Sequence, residues 1–204
     1  MTKKHIETIF DVETKSFFDD TGTKDPSDLG VSIVSVYRRV IDENLKEIEG
    51  QMLSFWEKDF EKMWPLFAES SRIIGFNTKR FDIPALKPYA PAYFAKLNHF
   101  DILEELRNTH GHGTSLDRIA KDTLGTAKID SGANAVMYWN KADEESLVKL
   151  KKYCEMDVAI TRDIYDFVLK NKYIKFTDRW NSPRVVEIDF SYPPPETIQQ
   201  DSLF

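Results

Sequence analysis

An apolar run, Ile6 to Phe10, leads directly into Asp11-Val12-Glu13 near the start of the chain. On a strand, residues i and i+2 share a face, so Asp11 and Glu13 project side by side while Phe10 and Val12 turn into a core. Residues 5–13 read as a first strand. Leu29 to Tyr37, β-branched and partly alternating, reads as a second, and Met52 to Phe55 as a third, joined through Asp42-Glu43-Asn44 or through Gly50. Three early strands in succession predict an antiparallel meander. Between the first two, residues 17–28 are rich in Asp, Gly and Thr and read as a solvated loop; they lack the alternating ligand spacing and closing Glu of a calcium loop.

The period then changes. Phe60, Met63, Trp64 and Phe67 give residues 58–68 a helical rhythm. Arg72 to Phe76 is a short buried strand. Asp82 stands where an N-cap would precede Pro84, and the helix it opens is expected to run toward Leu97, broken near Pro88 or Pro91. Phe100 to Leu103 reads as a further strand, and residues 110–113 as a Gly-rich surface loop rather than a pair of histidine metal ligands. Ser115 caps a short helix that buries Leu116, Ile119, Ala120 and Leu124 and ends at Gly125. Residues 126–142 read as irregular. Glu144 to Asn171 is the clearest helix, followed by strand-like segments at 173–177 and 185–190. Strands first, then helices and strands in alternation, predict an α/β fold: a mixed sheet with helices on its faces. Residues 1–190 form one domain on this reading, and 191–204 a Pro-rich tail.

Composition adds limits. The 204 residues are 41% hydrophobic, with 14 Phe, 8 Tyr and 4 Trp, enough for one substantial core. No apolar run is long enough to span a membrane, and the N-terminus lacks the pattern of a signal peptide. A single cysteine, Cys154, leaves no internal disulfide, so a cytoplasmic setting is expected. The net charge of −6 argues against a broad basic grip on nucleic acid, but not against an enzyme that holds one strand end through bound cations.

The long helix carries the second anomaly. Leu150, Cys154, Asp157, Thr161, Ile164 and Val168 follow the inward seam of an amphipathic helix, with Asp157 in its middle. A carboxylate there needs a cation, either a metal or a core Arg or Lys. Tyr153 lies one turn earlier on the same side. For Asp11 and Glu13 the same choice stands between a divalent cation and a strand end running into solvent. The third piece, Asn77-Thr78-Lys79-Arg80-Phe81-Asp82, falls between a buried strand and a helix start. Asp82 serves there as N-cap, or backbone amides with Lys79 and Arg80 receive a phosphodiester.

Taken in order, D-x-E, N-x-x-x-F-D and Y-x-x-x-D stand about seventy residues apart along the chain. They resemble the three motifs of the DEDD superfamily of exonucleases in its tyrosine subgroup. The likeness is to the proofreading domains of family B DNA polymerases, whose first motif reads much like Phe10-Asp11-Val12-Glu13-Thr14, and also to RNase D. It covers residues 6–170. The resemblance implies an RNase H-like fold and 3′→5′ removal of nucleotides with two divalent metal ions, Mg2+ or Mn2+. By the same carry-over Asp11 bridges both ions, Glu13 and Asp157 complete the site that activates water, and Asp82 supports the second ion. Tyr153 orients the attacking water. Thr14 and Phe17 or Phe18 lie where relatives contact the terminal nucleotide, and Asn77, Lys79, Arg80 and Phe81 lie along the strand.

The last residues, Gln200-Asp201-Ser202-Leu203-Phe204, resemble the short peptides by which bacterial replication and repair proteins dock on the sliding DNA clamp, through Gln200, Leu203 and Phe204. Asp201 departs from that pattern, where an aliphatic residue is common. A tail folded back on its own domain is the other reading. A clamp partner favours DNA as substrate. The alternatives are an exoribonuclease of the RNase D kind, and a non-catalytic module that only binds nucleic acid or a clamp; the complete set of four carboxylates and a tyrosine argues against the latter.

Overall fold

A computed structural model describes residues 4–126 and 132–192. Its centre is a five-stranded sheet in the order β3-β2-β1-β4-β5. The strands are β1 (His5–Thr14), β2 (Val31–Ile41), β3 (Glu47–Trp56), β4 (Arg72–Gly75) and β5 (His99–Asp101). The first three form the expected antiparallel meander, while β4 runs parallel to β1, and β5 to β4. The meander turns at residues 42–46, where Asp42 N and Lys46 O pair at 2.9 Å. Gly50 lies inside β3, opposite Arg39.

Helices cover both faces. The even side of β1, with Phe10 and Val12, packs against Phe60, Met63, Trp64 and Phe67 and against α3 (Asp82–Leu86). Ile9, on the odd side, packs with the long helix α7 (Glu144–Asn171), α4 (Ile102–His110) and α5 (Leu116–Ile119). The predicted bounds of α7 hold, and its expected seam is buried throughout. Asp143 caps it, accepting from Ser146 N at 2.7 Å. The remaining helices are α1 (Phe18–Thr21), α2 (Trp64–Ala68) and α6 (Gly132–Lys141).

Several expectations change. Residues 17–28 hold one turn of helix, α1, and a 3-10 turn at Pro26–Asp28. Residues 57–62 are 3-10 rather than α-helical, and α2 begins beside Pro65. The helix after Asp82 stops at Leu86, and only a 3-10 turn, Phe94–Lys96, follows before β5. Leu103 is not in a strand: β5 ends at Asp101, which caps α4. Residues 132–141, read as irregular, form α6, whose Ala135 packs with Ile33, Leu150, Tyr153 and Cys154.

Beyond α7, β6 (Tyr173–Thr177) and β7 (Pro183–Glu187) make a separate two-stranded hairpin. The chain then returns to the main sheet. Phe190 is fully buried, and Arg72 Nη1 donates to its carbonyl at 2.6 Å. The Arg72 guanidinium lies 3.7 Å from the ring centre of Tyr192, whose hydroxyl donates to Glu7 Oε1 at 2.8 Å. Packing thus reaches two residues past the expected boundary at 190. Gln200, Leu203 and Phe204 lie outside the described residues. Among the described residues no helix is long and apolar enough to cross a membrane.

Candidate active site

The odd face of β1 carries three carboxylates, and the fold separates them into two groups. Glu7, fully buried, meets Arg39 Nε at 2.8 Å and the hydroxyls of Tyr165 at 3.0 Å and Tyr192 at 2.8 Å. Arg39 is buried too and binds Asp166 through both terminal nitrogens, at 2.8 and 2.6 Å. That pair is structural, with a guanidinium supplied by the neighbouring strand. Asp11 and Glu13, further along, gather instead with Cys154: one ligand atom from each lies within 4.8 Å of the others. The β1–β2 register slips between Glu13 and Thr14, which ends regular pairing at the carboxylates.

Asp82 approaches from the other side of β1. Its Oδ1 accepts from Val12 N at 3.1 Å, between the two motif carboxylates. Phe81, not Asp82, is the residue before the helix, so the N-cap reading gives way to a bond across the sheet. Burial first, then the charges of Asp101 and Asp157, holds the Asp82 carboxyl well above the usual carboxylate range. Asp157, 5% exposed on the inward seam of α7, is close enough for its charge to act on Asp82. Tyr153 sits one turn before it. Burial and then Asp157, Glu13 and Asp11, in that order, raise the tyrosine hydroxyl above its ordinary value. The charges of Asp11, Glu13 and Asp157 thus reach Tyr153, and that of Asp157 reaches Asp82.

Cys154 lies beneath the cluster, its Sγ 3.5 Å from Asp11 O and 3.9 Å from Asp11 Oδ2. Burial and the charges of Asp11 and Glu13 push its thiol up, so it packs as a neutral spacer rather than as a thiolate.

The surrounding residues divide. Thr14 is buried and its hydroxyl donates to Ser16 O at 3.1 Å. Phe17 and Phe18 are 39% and 38% exposed, and Phe18 meets Phe81 edge to face at 6.1 Å. Lys79 is ion-paired with Glu104, and Arg80 is exposed on the same loop. Asn77 takes a positive φ of 64° and accepts from Arg107 Nη1 at 3.2 Å. Gly75 permits the loop to close: a Cβ there would lie 2.2 Å from Thr78 Cγ2. His110 and His112 lie against the β6–β7 hairpin, His110 beside Phe176 and His112 beside Trp180.

Asp101 was not among the expected site residues. It is fully buried, and it ties the second-motif loop to α4. Its Oδ1 accepts from Asn77 N at 2.8 Å, Leu103 N at 3.0 Å and Glu104 N at 3.2 Å, and its Oδ2 from Lys79 N at 3.0 Å. The sequence holds a signal for it: Asp101-x-x-Glu104, with Ile102, Leu103 and Leu106 at helical spacing, is a helix-start pattern. The packing of α6 on the meander is the second omission. Trp139 of α6 stacks on Trp56 of β3 at 6.4 Å, with Lys15 Nζ 5.5 Å from the Trp139 ring centre.

On a mixed sheet, β1 bears paired carboxylates, a third carboxylate is bonded to its backbone, and a fourth lies on an inward helix seam. A family model described as the RNase_H superfamily matches residues 8–169, nearly the whole of that arrangement. The chain belongs to the RNase H superfamily. Its fold is the RNase H-like fold, a mixed sheet flanked by helices. Among solved structures this RNase H chain is similar to the family B DNA polymerase from the hyperthermophilic archaeon Pyrobaculum calidifontis, with a TM-score of 0.59 and 19% sequence identity. The similarity covers 81% of this chain and 24% of the polymerase chain, and at that identity it is a likeness of fold. A comparison with curated proteins finds no match. Fold and acidic cluster together fit a nuclease that uses divalent metal ions.

Proposed function

We propose that this RNase H-superfamily chain is a metal-dependent 3′→5′ exonuclease of the DEDD type, in its tyrosine subgroup. It hydrolyses the last phosphodiester bond at the 3′ end of single-stranded DNA and releases nucleoside monophosphates. What supports the reading is the pairing of Asp11 and Glu13 on β1, with Asp82 bonded to Val12 N between them and the charge of Asp157 acting on both Asp82 and Tyr153. Like charges held close and mostly buried repel one another, and hard divalent cations relieve that repulsion. The donor set, all carboxylate oxygen with a protonated thiol beneath, fits Mg2+ or Mn2+. Asp11, Glu13, Asp82 and Asp157 would hold two such ions, which supply an activated water and charge stabilisation at the leaving 3′ oxygen.

The remaining chemistry belongs to the chain. Tyr153 keeps its proton, so it donates a hydrogen bond that orients the attacking water and does not act as the base. Water bonds to phosphorus as the bond to the 3′ oxygen breaks; the water gives a proton to solvent and the leaving 3′ oxygen takes one up, leaving a nucleoside 5′-monophosphate and a shortened strand with a 3′ hydroxyl. Phe17, Phe18 and Phe81 offer aromatic surface beside the cluster for the terminal base. Thr14, Asn77, Lys79 and Arg80 line the approach, with Asn77 held by Arg107 and Asp101. A single buried cysteine suits a cytoplasmic setting. The tail through Gln200, Leu203 and Phe204 docks on a sliding clamp, which favours DNA over RNA.

The test is degradation of 5′-labelled DNA and RNA strands of matched sequence with Mg2+ and with Mn2+. Shortening of DNA one nucleotide at a time from the 3′ end supports the proposal. Internal cuts, or degradation of RNA alone, contradict it.

A further inference from the structure

The β6–β7 hairpin and the end of α4 enclose a cavity of about 410 Å³ that the proposed chemistry does not use. Its size falls within the range of small-ligand sites. His110 and His112 line it from α4 and the turn after it, and Phe176, Arg179, Trp180 and Arg184 line it from the hairpin.

The hairpin turn is built to hold that lining in place. Asp178, buried, accepts through Oδ1 from Trp180 N and Ser182 N, each at 2.9 Å, and through Oδ2 from Arg184 Nε at 2.8 Å. Asn181 adopts a φ of 60°, and Asp178 N donates to Ser182 O at 2.9 Å. The turn so fixed displays Trp180 with 60% of its surface exposed. The Arg179 guanidinium lies 4.1 Å from its ring centre, and His112 meets it edge-on at 6.2 Å. A large indole held out in water by a constrained turn gains nothing for the core.

Charge identifies the occupant. Its two arginines and one carboxylate leave the lining one net positive charge on a chain of −6, and that carboxylate, Asp178, is already held by Arg184. A flat ring face with guanidinium and imidazole donors around it matches a nucleobase with its phosphate. The cavity is linked to the second-motif loop through Arg107. A Cβ on Gly113, at its rim, would lie 3.0 Å from Arg107 Nε, and Arg107 donates to Asn77.

We infer that this cavity holds an unpaired nucleotide of the bound strand outside the catalytic cluster, with its base on Trp180 and its phosphate at Arg179. The inference rests on the reading of the chain as a nuclease of single strands. The test compares the full chain with Trp180→Ala and Arg179→Ala. In EDTA, anisotropy of a fluorescein-labelled oligothymidylate of about twenty residues gives Kd, and each variant should bind about tenfold more weakly. Both side chains are exposed, so melting temperatures should match the wild type. The p-nitrophenyl ester of thymidine 5′-phosphate has a single nucleotide and reads the catalytic site alone; with Mg2+ both variants should hydrolyse it at the wild-type rate.

Equal strand affinity in wild type and variants overturns the inference. Displacement of the strand by free thymidine 5′-phosphate with the strand's own affinity also overturns it, because the site would then be one for mononucleotides. Strand binding indifferent to Trp180 and to salt overturns it in favour of a protein partner for this face. If the wild type binds strand through Trp180 yet hydrolyses neither substrate with Mg2+ or Mn2+, the nuclease reading fails and the strand site stands.

Discussion

Replacing Asp101 with Ala removes no proposed metal ligand, yet it should cost both stability and turnover. Its carboxylate accepts four backbone N–H bonds, two from the start of α4 and two from the second-motif loop. Loss of the helix cap costs about 1 kcal/mol. Each loop amide left without its acceptor costs about 1–3 kcal/mol, less where water can reach it. Asn77 and Lys79 lie at the edge of the site, so the total comes to about 4 kcal/mol. For a chain of this size that lowers Tm by about 8–16 °C. Asp101→Asn keeps one acceptor oxygen and should lose about half as much. Turnover should fall with stability, because the released loop leads directly into Asp82 and its bond to Val12. The assay is thermal unfolding by circular dichroism, paired with hydrolysis of the p-nitrophenyl ester below both melting points. An Asp101→Ala chain that melts within about 1 °C of the wild type and turns over normally would refute the reasoning.

Three further outcomes follow from the same geometry. Tyr153→Phe should lower kcat by about 10–100-fold with a small change in KM, as expected of a group that positions water. Because the hydroxyl titrates above its ordinary value near 10, the wild-type rate should show no fall from tyrosine ionisation up to that pH, and a fall that Tyr153→Phe abolishes would contradict its role. Arg39→Met strands the buried Glu7 and should cost about 3–5 kcal/mol, while adding Glu7→Gln should recover much of it; additive losses in urea unfolding would count against the pairing. Deleting residues 200–204 should abolish retention on a sliding-clamp column and leave free-end hydrolysis unchanged, and undiminished retention would leave the tail without that role.

What could be seen in the sequence was what repeats or conflicts with its neighbours. α7 is legible because 28 residues keep one apolar seam, and Asp157 is legible because it interrupts that seam. Asp11 and Glu13 stand out where an apolar strand ends in like charges. α6 has ten residues and no such long seam, and its packing against Tyr153 is a tertiary fact. α3 stops at Leu86, at the break Pro88 marks in the sequence, but the bond from Val12 N to Asp82 that fixes its start is a tertiary contact that local propensity does not register. Asp101 hid inside a stretch read as strand, since Ile102 and Leu103 prolong the apolar run of β5 into α4. Glu7 shares the strand face of Asp11 and Glu13, and only the partner strand, which supplies Arg39, separates a structural carboxylate from the two proposed to bind metal.

The central claim is that four carboxylates at the end of β1 act together on a 3′ end. Asp157→Asn tests it most directly, because the change is isosteric and removes one of several mutually repelling charges. Without added metal its Tm should equal or exceed that of the wild type. With Mg2+, stepwise shortening of a 5′-labelled DNA strand should fall by at least about a hundredfold. A folded Asp157→Asn chain that shortens the strand at the wild-type rate would contradict the account.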